Sequence, residues 1–509
     1  MNYRKSVSYK LVLLLFSILI TPAFGFEYDF GDVNDLHIQW SQPPIEIDPN
    51  INTPPVFSGY GEPARSTHNS DYRRQWRMDA DDFHSLGSIP VTQIRWWGSY
   101  KGWGEPNIPN LQPQAWHICF WANQVEGLEP NEIYPERIVW AQEIRPERIS
   151  YKPLGLTQLP DKSSDMCYVY ELTLEPNEWF CPGDFTSNED IFWISITAIY
   201  PSDIEQINLW GWTTRPHIWG NGAVMPAIMG DWPTYDERLF PGRIYPIENL
   251  NLCGQNQPMD MCFELNTNQA WIKCDQSFPG IRTSLGYVEN LSIAIEPNEG
   301  EISLLQQITD DWISDSNEPV IAIGWNGFYD GYVYNPYDCN DINKPVKPEY
   351  FLLTICTNNE SEAEIDFNHP GELIWEYKAY DYDEVLIGYN KYLFDEPNDS
   401  EPLPALYYEP NETVFRYSVR LPSQECFVPE DVNNNYWLTI TAVYEEPARD
   451  ISYPWGWLDI GNVTNNPALQ INYATLPEPE WELLTDSEGH LHDMSFILYT
   501  GKDPNVPEL

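Results

Sequence analysis

The chain has 509 residues, and its 77 Asp and Glu residues outnumber its 27 Lys and Arg residues, which gives a formal net charge of -50. This charge excludes a nucleic-acid-binding protein, because contacts to phosphates require clustered Lys and Arg. Aromatic residues make up 15% of the chain and include 22 Trp. Such a supply of large apolar side chains excludes a disordered acidic polymer and favours a folded protein with an anionic surface.

Residues 1–25 have the pattern of a secretory signal peptide. Basic residues (Arg4, Lys5 and Lys10) precede an apolar run over residues 11–20, and Ala23-Phe24-Gly25 supplies the small residues of a cleavage site. The apolar run is too short to cross a bilayer. We therefore expect a secreted or cell-envelope protein that has no membrane span once the signal is removed.

The rest of the chain contains an internal duplication. The matched segments follow one another in the same order in both copies: 80–83 with 309–312, 94–103 with 323–332, 135–140 with 370–375, 192–200 with 436–444, 210–212 with 455–457, and 260–263 with 493–496. Repetition in a fixed order indicates tandem structural units. The pattern predicts copy one over residues 26–266, copy two over residues 267–500 and a tail over residues 501–509. We expect each copy to fold around its own core.

The local patterns are almost entirely those of β-strands. Short runs rich in Ile, Val, Tyr, Trp and Thr alternate with Pro, Asn, Asp and Gly, and 45 prolines leave little room for long helices. Copies of this length with many short strands predict an all-β protein made of two tandem β-sandwich, jelly-roll-like domains.

Nine cysteines in an exported chain permit disulfides, but the odd number leaves at least one thiol unpaired within the chain. Cys119 and Cys356 lie in the strand-like runs WHICF and LLTIC, which places them at matching points and predicts two buried thiols. The spacing of the other cysteines assigns no disulfide pairing. It is also not the paired spacing of a zinc site.

Aromatic residues are the candidates for ligand contact. Along Ile94–Tyr100, alternate residues point to opposite sides of the strand. The side of Trp96 is shared with copy two and is expected in the core, whereas Trp97 lies on the side that differs. An exposed indole can stack on a sugar ring, and the candidates for such a platform are Trp97, Trp103, Trp210, Trp212, Trp455 and Trp457. A packing role is the alternative, and both copies keep Trp-Gly-Trp, which favours packing for that motif.

Two acidic pairs recur at matched positions, Asp81-Asp82 and Asp310-Asp311. Carboxylate oxygens are calcium ligands, so these pairs are candidate calcium sites, with a role at a turn or strand start as the alternative. No other cofactor is expected. The sequence has no nucleophile elbow, metalloprotease helix or phosphate-binding loop, and 77 acidic residues give no basis for choosing a glycosidase pair.

Several motifs in order support a family resemblance: WSQPP at 40–44, ADDF at 80–83, IRWWGSYKGW at 94–103, PGELIWEY at 370–377 and YPWGW at 453–457. Together they resemble an uncharacterised tandem β-rich domain of exported proteins from environmental bacteria. The resemblance implies an extracellular module and offers no catalytic residues to transfer to this chain.

These features predict a secreted, non-catalytic binding or surface-matrix protein whose partners are extracellular polysaccharide or cell-surface components. Two alternatives remain open. One is an extracellular carbohydrate-active enzyme, either a hydrolase or a lyase, and the other is a purely structural protein of the cell envelope.

Overall fold

The structure is a computed structural model that describes residues 37–48, 56–62, 64–68, 78–123, 134–158, 164–182, 191–201, 208–226, 244–249, 257–268, 272–276, 291–295, 302–335, 344–360, 367–391, 410–445, 452–460, 463, 465–473, 481–485 and 489–501. The predicted signal peptide, and the tail beyond residue 501, lie outside these ranges. Within them, no helix has the length and apolar character needed to cross a membrane.

Copy one consists of short strands joined by turns. Its described strands are β1 (His37–Gln42), β2 (Ile45–Asp48), β3 (Val56–Ser58), β4 (Gly61–Glu62), β5 (Arg65–His68), β6 (Ala80–His84), β7 (Gln93–Tyr100), β8 (Ala115–Asn123), β9 (Pro135–Ile144), β10 (Ser150–Gln158), β11 (Ser164–Thr173), β12 (Ile191–Pro201), β13 (Trp210–Pro216), β14 (Val224–Pro226), β15 (Ile244–Pro246), β16 (Glu248–Asn249), β17 (Gln257–Met261) and β18 (Phe263–Thr267). A 3₁₀ turn at Pro146–Arg148 connects β9 to β10.

Copy two repeats this construction. Its described strands are β19 (Ile272–Gln276), β20 (Ile293–Ile295), β21 (Ser303–Ile313), β22 (Val320–Tyr329), β23 (Tyr350–Asn359), β24 (His369–Ala379), β25 (Asp383–Lys391), β26 (Pro410–Arg420), β27 (Asn435–Tyr444), β28 (Trp455–Trp457), β29 (Leu469–Asn472), β30 (Glu482–Leu483) and β31 (Phe496–Thr500). The all-β prediction and the internal duplication are therefore confirmed.

Each copy is built from two mainly antiparallel sheets. In copy one, sheet 1A has the order β16-β17-β13-β7-β11-β10-β3-β2 with β1, β18 and β4 beside it, and sheet 1B has the order β15-β14-β6-β12-β8-β9 with β5 beside it. In copy two, sheet 2A has the order β19-β31-β22-β26-β25 with β28 beside it, and sheet 2B has the order β24-β23-β27-β20-β21-β29-β30. The strand pairings of the described residues all stay within one copy.

The two cores match in detail because the same aromatic residues fill them. Trp96 stacks on Tyr170 with ring centroids 5.5 Å apart, and Trp325 stacks on Tyr417 at 5.7 Å. Both pairs bring side chains of two neighbouring strands to the face between the sheets, where they join a large apolar cluster in each copy. The sandwich thus places the aromatic residues shared by both copies in its interior.

The copies also pack against one another through apolar side chains. A shared buried cluster joins Leu86 and Ile89 of copy one to residues of copy two, namely Ile272, Ala322, Ile497 and Tyr499. In addition, Ile45 of copy one belongs to the main apolar cluster of copy two, and Val385 of copy two belongs to that of copy one. The two sandwiches therefore share buried apolar surface.

Polar contacts cross the same interface. The Arg215 side chain of copy one is fully buried, and it donates from Nη1 to the Pro43 carbonyl at 2.9 Å and from Nη2 to the Leu386 carbonyl of copy two at 2.7 Å. His84 Nδ1 lies 2.9 Å from Asp383 Oδ2. The bonds to Leu386 and Asp383 fix the orientation of one copy on the other, because each links a side chain of copy one to copy two.

Candidate functional site

Five of the six tryptophans considered for ligand contact are buried. Their exposed fractions are 1% or less: Trp97, Trp210, Trp212, Trp455 and Trp457. Stacking on a sugar needs an open ring face. The expectation that these five indoles form a surface platform therefore does not hold, because each ring is covered by packing within its own sandwich.

The two Trp-Gly-Trp motifs bind main-chain groups and pack in the core. The second indole of each motif donates to a main-chain carbonyl, from Trp212 Nε1 to Cys262 at 2.8 Å and from Trp457 Nε1 to Ser495 at 2.9 Å. The glycine between the two indoles of copy one lies against the neighbouring strand, because a Cβ on Gly211 would lie 2.7 Å from the carbonyl carbon of Gly61. The motif is thus a packing device at matched positions.

Trp97 lies on the opposite side of β7 from Trp96, as the alternation predicted. It is nevertheless buried, because it belongs to a second, smaller apolar cluster with Phe57, Leu154, Cys167, Val169 and Cys262. Phe57 belongs to β3, which pairs in parallel with β10. The strand side that differs between the copies is therefore a second core layer in copy one.

Trp103 is the exception among the six. It lies in the turn after β7, is half-buried, and packs against the main core of copy one. Its Nε1 donates to the Asn107 carbonyl at 2.6 Å. This arrangement holds the indole at the surface of copy one, beside the exposed residues of the same turn.

The aspartate pair of copy one is buried in the middle of the fold. Asp81 Oδ1 accepts the N–H of Asp82 at 3.0 Å, and its Oδ2 accepts the N–H of Met261 at 2.7 Å. Asp82 Oδ2 accepts the main-chain and side-chain N–H groups of Asn221 at 3.0 and 2.8 Å. Asp260 accepts the N–H of Ile218 at 3.0 Å. The carboxylates thus hold β6, the segment after β13 and β17 together.

Copy two has the same arrangement. Asp310 accepts the N–H groups of Asp311 and Met494 at 2.8 and 2.7 Å. Asp311 accepts the side-chain N–H groups of Asn466 and Asn435, both at 2.6 Å. The main-chain N–H of Asn466 adds a bond at 3.1 Å. Repetition of this pattern shows that the aspartate pairs tie strands to the segment after the Trp-Gly-Trp motif. Asp81 and Asp82 also lie at the start of β6, as the alternative predicted, whereas Asp310 and Asp311 lie near the end of β21.

Burial raises the pKa values of the aspartate pairs in both clusters. Desolvation, followed by the charges of Asp260 and Asp82, raises the pKa of Asp81 well above its ordinary value. Desolvation also raises the pKa of Asp82 to about 7, although the hydrogen bonds from Asn221 oppose it. The pKa values of Asp310 and Asp311 are raised in the same way. Protonated carboxyl groups therefore persist in both clusters at mildly acidic pH.

The cationic groups near the cluster of copy one are a buried arginine, Arg215, and a partly buried histidine, His217. His217 Nδ1 lies 2.6 Å from Asp260 Oδ1. Desolvation opposes a charge on this histidine, but the hydrogen bond and charge of Asp260 outweigh it, so the pKa of His217 is raised. Desolvation lowers the pKa of Arg215, while Asp260 and Asp81 partly offset that effect. The charges of the aspartate cluster thus stabilise the charged form of Arg215, which also contacts copy two.

The repeated Asp-Asp pairs in the sequence identify the first two aspartates of each cluster. They do not identify the third aspartate or the asparagine. Asp260 and Asp493 were part of a matched segment, and their acidic identity was the available signal. Asn221 and Asn466 were missed, because the segments after the two Trp-Gly-Trp motifs have little similarity. Their shared role emerges only from their bonds to Asp82 and Asp311.

Calcium at the aspartate pairs stays a prediction. In the described ranges, no three His, Cys, Asp or Glu side chains converge as ligands of a metal ion. The oxygens of Asp81 and Asp310 already accept main-chain N–H bonds. A cation there would have to compete with bonds that hold the strands together.

A cysteine and a histidine form a pair inside copy one. Cys119 Sγ lies 3.1 Å from His117 Nδ1. Burial lowers the pKa of His117 to about 3 and raises the pKa of the Cys119 thiol. Both shifts favour the neutral forms, whereas a nucleophilic cysteine needs a stabilised thiolate. The geometry therefore describes a thiol in the packed interior, as predicted for Cys119.

The comparison with known protein families agrees with this architecture. A family described as a domain of unknown function, DUF7901, matches residues 38–266 and again residues 284–499. The chain belongs to this family and carries two tandem copies of its domain. No curated protein and no solved structure matches the chain.

Proposed function

We propose that the protein is an exported, non-catalytic binding protein of the cell surface or its surrounding matrix, with extracellular polysaccharide as its ligand. One observation carries the proposal: the chemically distinctive residues kept in both copies are buried, and they hold the core or the main chain. A duplication that preserves a scaffold supports a role in which the surface, rather than a repeated catalytic centre, meets the ligand.

The buried aspartates favour binding over turnover. A general acid or base must come within hydrogen-bond reach of the reacting group. Asp81, Asp82, Asp310 and Asp311 have no exposed surface, and their carboxyl oxygens are hydrogen-bonded to neighbouring strands and segments. Their raised pKa values thus have a structural cause, and this supports the non-catalytic proposal over the hydrolase or lyase alternative.

The surface charge narrows the class of ligand. At a net charge of -50, an anionic polysaccharide would meet electrostatic repulsion, which salt screens only in part. A neutral polysaccharide meets no such barrier. We therefore infer that the polysaccharide bound by this protein is uncharged.

The test combines binding with turnover. The full chain is incubated with cellulose, mannan, xylan, starch and pectin, and protein depletion and released reducing ends are measured in the same samples. We expect depletion by at least one neutral polymer with no reducing ends above the protein-free control. Release of reducing ends would establish the enzyme alternative, and neither depletion nor release would favour the purely structural one.

A further inference from the structure

We propose that copy one carries a binding site for a neutral saccharide at its edge, formed by the exposed ring of Tyr151 and the half-buried indole of Trp103. This inference rests on the proposed function and names its site. It also limits the chain to one such site, because copy two has different side chains at the matched positions.

Tyr151 is the exposed part of an aromatic group on β10, in the stretch before β10 pairs with β3. Its side chain is 48% exposed, and its ring centroid lies 6.5 Å from that of Tyr168 and 6.2 Å from that of Tyr170. Tyr168 and Tyr170 are buried beneath it. The ring of Tyr151 thus rests on packed aromatic side chains while much of its surface stays open to a ligand.

The turn that carries Trp103 adjoins this aromatic group. The hydroxyl of the buried Tyr168 donates to the Glu105 carbonyl at 2.6 Å and lies 3.2 Å from the Asn107 carbonyl. Both carbonyls belong to the turn that follows Trp103, and Trp103 Nε1 donates to the second of them. Tyr168 therefore connects the Tyr151 ring to the Trp103 turn.

Main-chain bonds hold this turn in place. The N–H of Trp103 donates to the Tyr100 carbonyl at 2.9 Å, and its carbonyl accepts the N–H of Met166 at 2.7 Å. Gly102 N–H donates to Asp165 Oδ1 at 2.8 Å. A surface held by such bonds loses little conformational freedom when a ligand binds, which favours affinity.

The chemistry of this surface suits a saccharide. Aromatic rings provide apolar faces for the C–H groups of a pyranose, and polar groups beside them fix its hydroxyls. Glu105 and Asn107 are exposed in the turn next to Trp103, and their side chains offer hydrogen-bond acceptors and donors. Because Glu105 also adds negative charge, the surface fits a neutral saccharide better than an anionic one.

Copy two provides an internal comparison. Tyr151 lies opposite Tyr170 in copy one, and the residue opposite the matched Tyr417 in copy two is Glu384. Glu384 is buried, accepts the hydroxyl of Tyr329 at 2.6 Å and lies 2.7 Å from Lys347 Nζ. A closed polar contact in copy two thus takes the place of the Tyr151 ring. The tyrosine that packs on Tyr417 there, Tyr382 at 6.1 Å, is half-buried and donates its hydroxyl to the Pro348 carbonyl at 2.9 Å, so it is less open than Tyr151.

Trp103 has a similar counterpart. Tyr332 N–H donates to the Tyr329 carbonyl, as Trp103 N–H donates to that of Tyr100, both at 2.9 Å. Tyr332 is only 5% exposed, and its ring packs on Phe415 and Tyr453. The two aromatic surfaces of the proposed site are therefore particular to copy one.

The test uses hexaoses of β-1,4-glucose, β-1,4-mannose and α-1,4-glucose, with the hexamer of galacturonic acid as the anionic counterpart. Isothermal titration calorimetry measures binding to the full chain and to three variants, with circular dichroism as a check of folding. Tyr151→Ala removes the exposed ring, and Tyr151→Phe keeps the ring without its hydroxyl. Tyr380→Ala is the matched control, because Tyr380 of copy two is also exposed, at 54%.

We expect at least one neutral hexaose to bind, Tyr151→Ala to weaken that binding by about tenfold or more, and the other two variants to bind within about twofold of the natural chain. If Tyr151→Ala binds as tightly as the natural chain, the site is wrong while the polysaccharide-binding proposal stands. If the natural chain binds no neutral hexaose but binds galacturonate, the ligand class is wrong. If it binds none of the four, the proposed site is wrong, and depletion by the polysaccharides decides the polysaccharide-binding proposal separately.

Discussion

The indole of Trp210 lies directly against the α-carbon of Gly98 on the neighbouring strand, so closely that a methyl group on Gly98 would overlap its Nε1. Copy two has the same relationship, since a Cβ on Gly327 would lie 2.5 Å from Nε1 of Trp455. Both glycines therefore provide the space that the first indole of each Trp-Gly-Trp motif occupies.

This contact makes Gly98 sensitive to the smallest substitution. We expect Gly98→Ala to lower the free energy of unfolding by about 1 to 3 kcal/mol, because the added methyl forces a buried indole or the backbone to move. Denaturant melts of the full chain measure the change. Gly104→Ala is the control, since a Cβ there would come no closer than 3.9 Å to any neighbour. Equal stability of the two variants would contradict the packing explanation.

The burial of Trp97 leads to a second prediction. Trp96 and Trp97 lie on opposite sides of β7, and only Trp96 was expected in the core, but both indoles are buried, in separate clusters. We expect Trp97→Ala to lower the free energy of unfolding by about 3 to 5 kcal/mol, as large-to-small changes in a core do. Tyr380→Ala should cost less, about 0.5 to 1.5 kcal/mol, because its exposed ring loses a contact with Tyr350 at 4.8 Å but leaves no large cavity. A loss below 1 kcal/mol for Trp97→Ala would show that its cluster contributes little.

The sequence predicted strand sides and packing correctly where both copies keep the same residue in the core. Alternation correctly placed Trp96 and Trp97 on opposite sides of a strand, and the repeated Trp-Gly-Trp motif favoured packing. What covers the second side could not be read from the alternation, because the covering residue Phe57 comes from a strand outside any matched segment. Period-two patterns show which residues share a side, not whether a further layer lies over it.

The sequence did not correctly predict how the strand of Cys119 aligns with the strand of Cys356. Cys356 does not match Cys119: it lies opposite Trp437, as Trp121 lies opposite Trp193, whereas Cys119 lies opposite Ser195. A shift of one or two residues between short β-rich runs leaves the composition unchanged, so the sequence alone could not fix it. Cys356 is also half-buried rather than fully buried.

The replacement of Trp121 by Cys356 at matched positions goes with a difference in exposure on the adjacent strand. Ile138 lies opposite Trp121 and is fully buried, whereas the matched Leu373 lies opposite Cys356 and is 51% exposed. The smaller cysteine covers less of its partner across the strands. Matching motifs therefore predicted the strands correctly, but not the burial of their residues.

The aspartate clusters predict how stability depends on pH. Folding raises the pKa of Asp82 from 3.8 to about 7, and it raises those of Asp81, Asp310 and Asp311 as well. The folded state then binds more protons than the unfolded state at mildly acidic pH. The stability contributed by this proton binding is complete below about pH 4 and is lost as the pH rises through about 7. We expect denaturant melts to show falling stability over that range.

Repulsion among the many surface carboxylates acts in the same direction, so a variant must separate the two effects. Asp82→Asn mimics the protonated side chain at one position. We expect its melts to show a smaller decrease between about pH 4 and 7 than those of the natural chain. The control is Asp315→Asn, which removes an equal charge from an exposed position. If both variants flatten the profile equally, general repulsion accounts for the pH dependence.

Divalent cations test the metal prediction at the same residues. Because the oxygens of Asp81 and Asp310 accept main-chain N–H bonds and desolvation favours their protonated forms, we expect millimolar calcium and magnesium to raise the melting temperature by equal amounts through screening. Thermal melts with each ion measure this. A larger shift with calcium that Asp311→Asn abolishes would establish a specific calcium site at these pairs.

The contact between the copies provides the last prediction. Leu86 and Ile89 of copy one are buried against copy two. At the matched positions, copy two has Asp315 and Glu318, which are exposed. The duplication has thus left the two copies with opposite chemistry at this segment, and among the described residues it is the segment of copy one that lies in the interface.

Replacing Leu86 and Ile89 with the residues of copy two should make the two copies unfold separately. We expect the natural chain to melt in a single calorimetric transition, because the shared apolar cluster links the two cores. The double variant Leu86→Asp, Ile89→Glu should melt in two transitions, since it places two carboxylates in buried apolar surroundings. The reverse exchange, Asp315→Leu with Glu318→Ile, is the control and should keep the single transition, because those positions lie at the surface. Two transitions in the natural chain would mean that each copy unfolds independently and that the contact contributes little to stability.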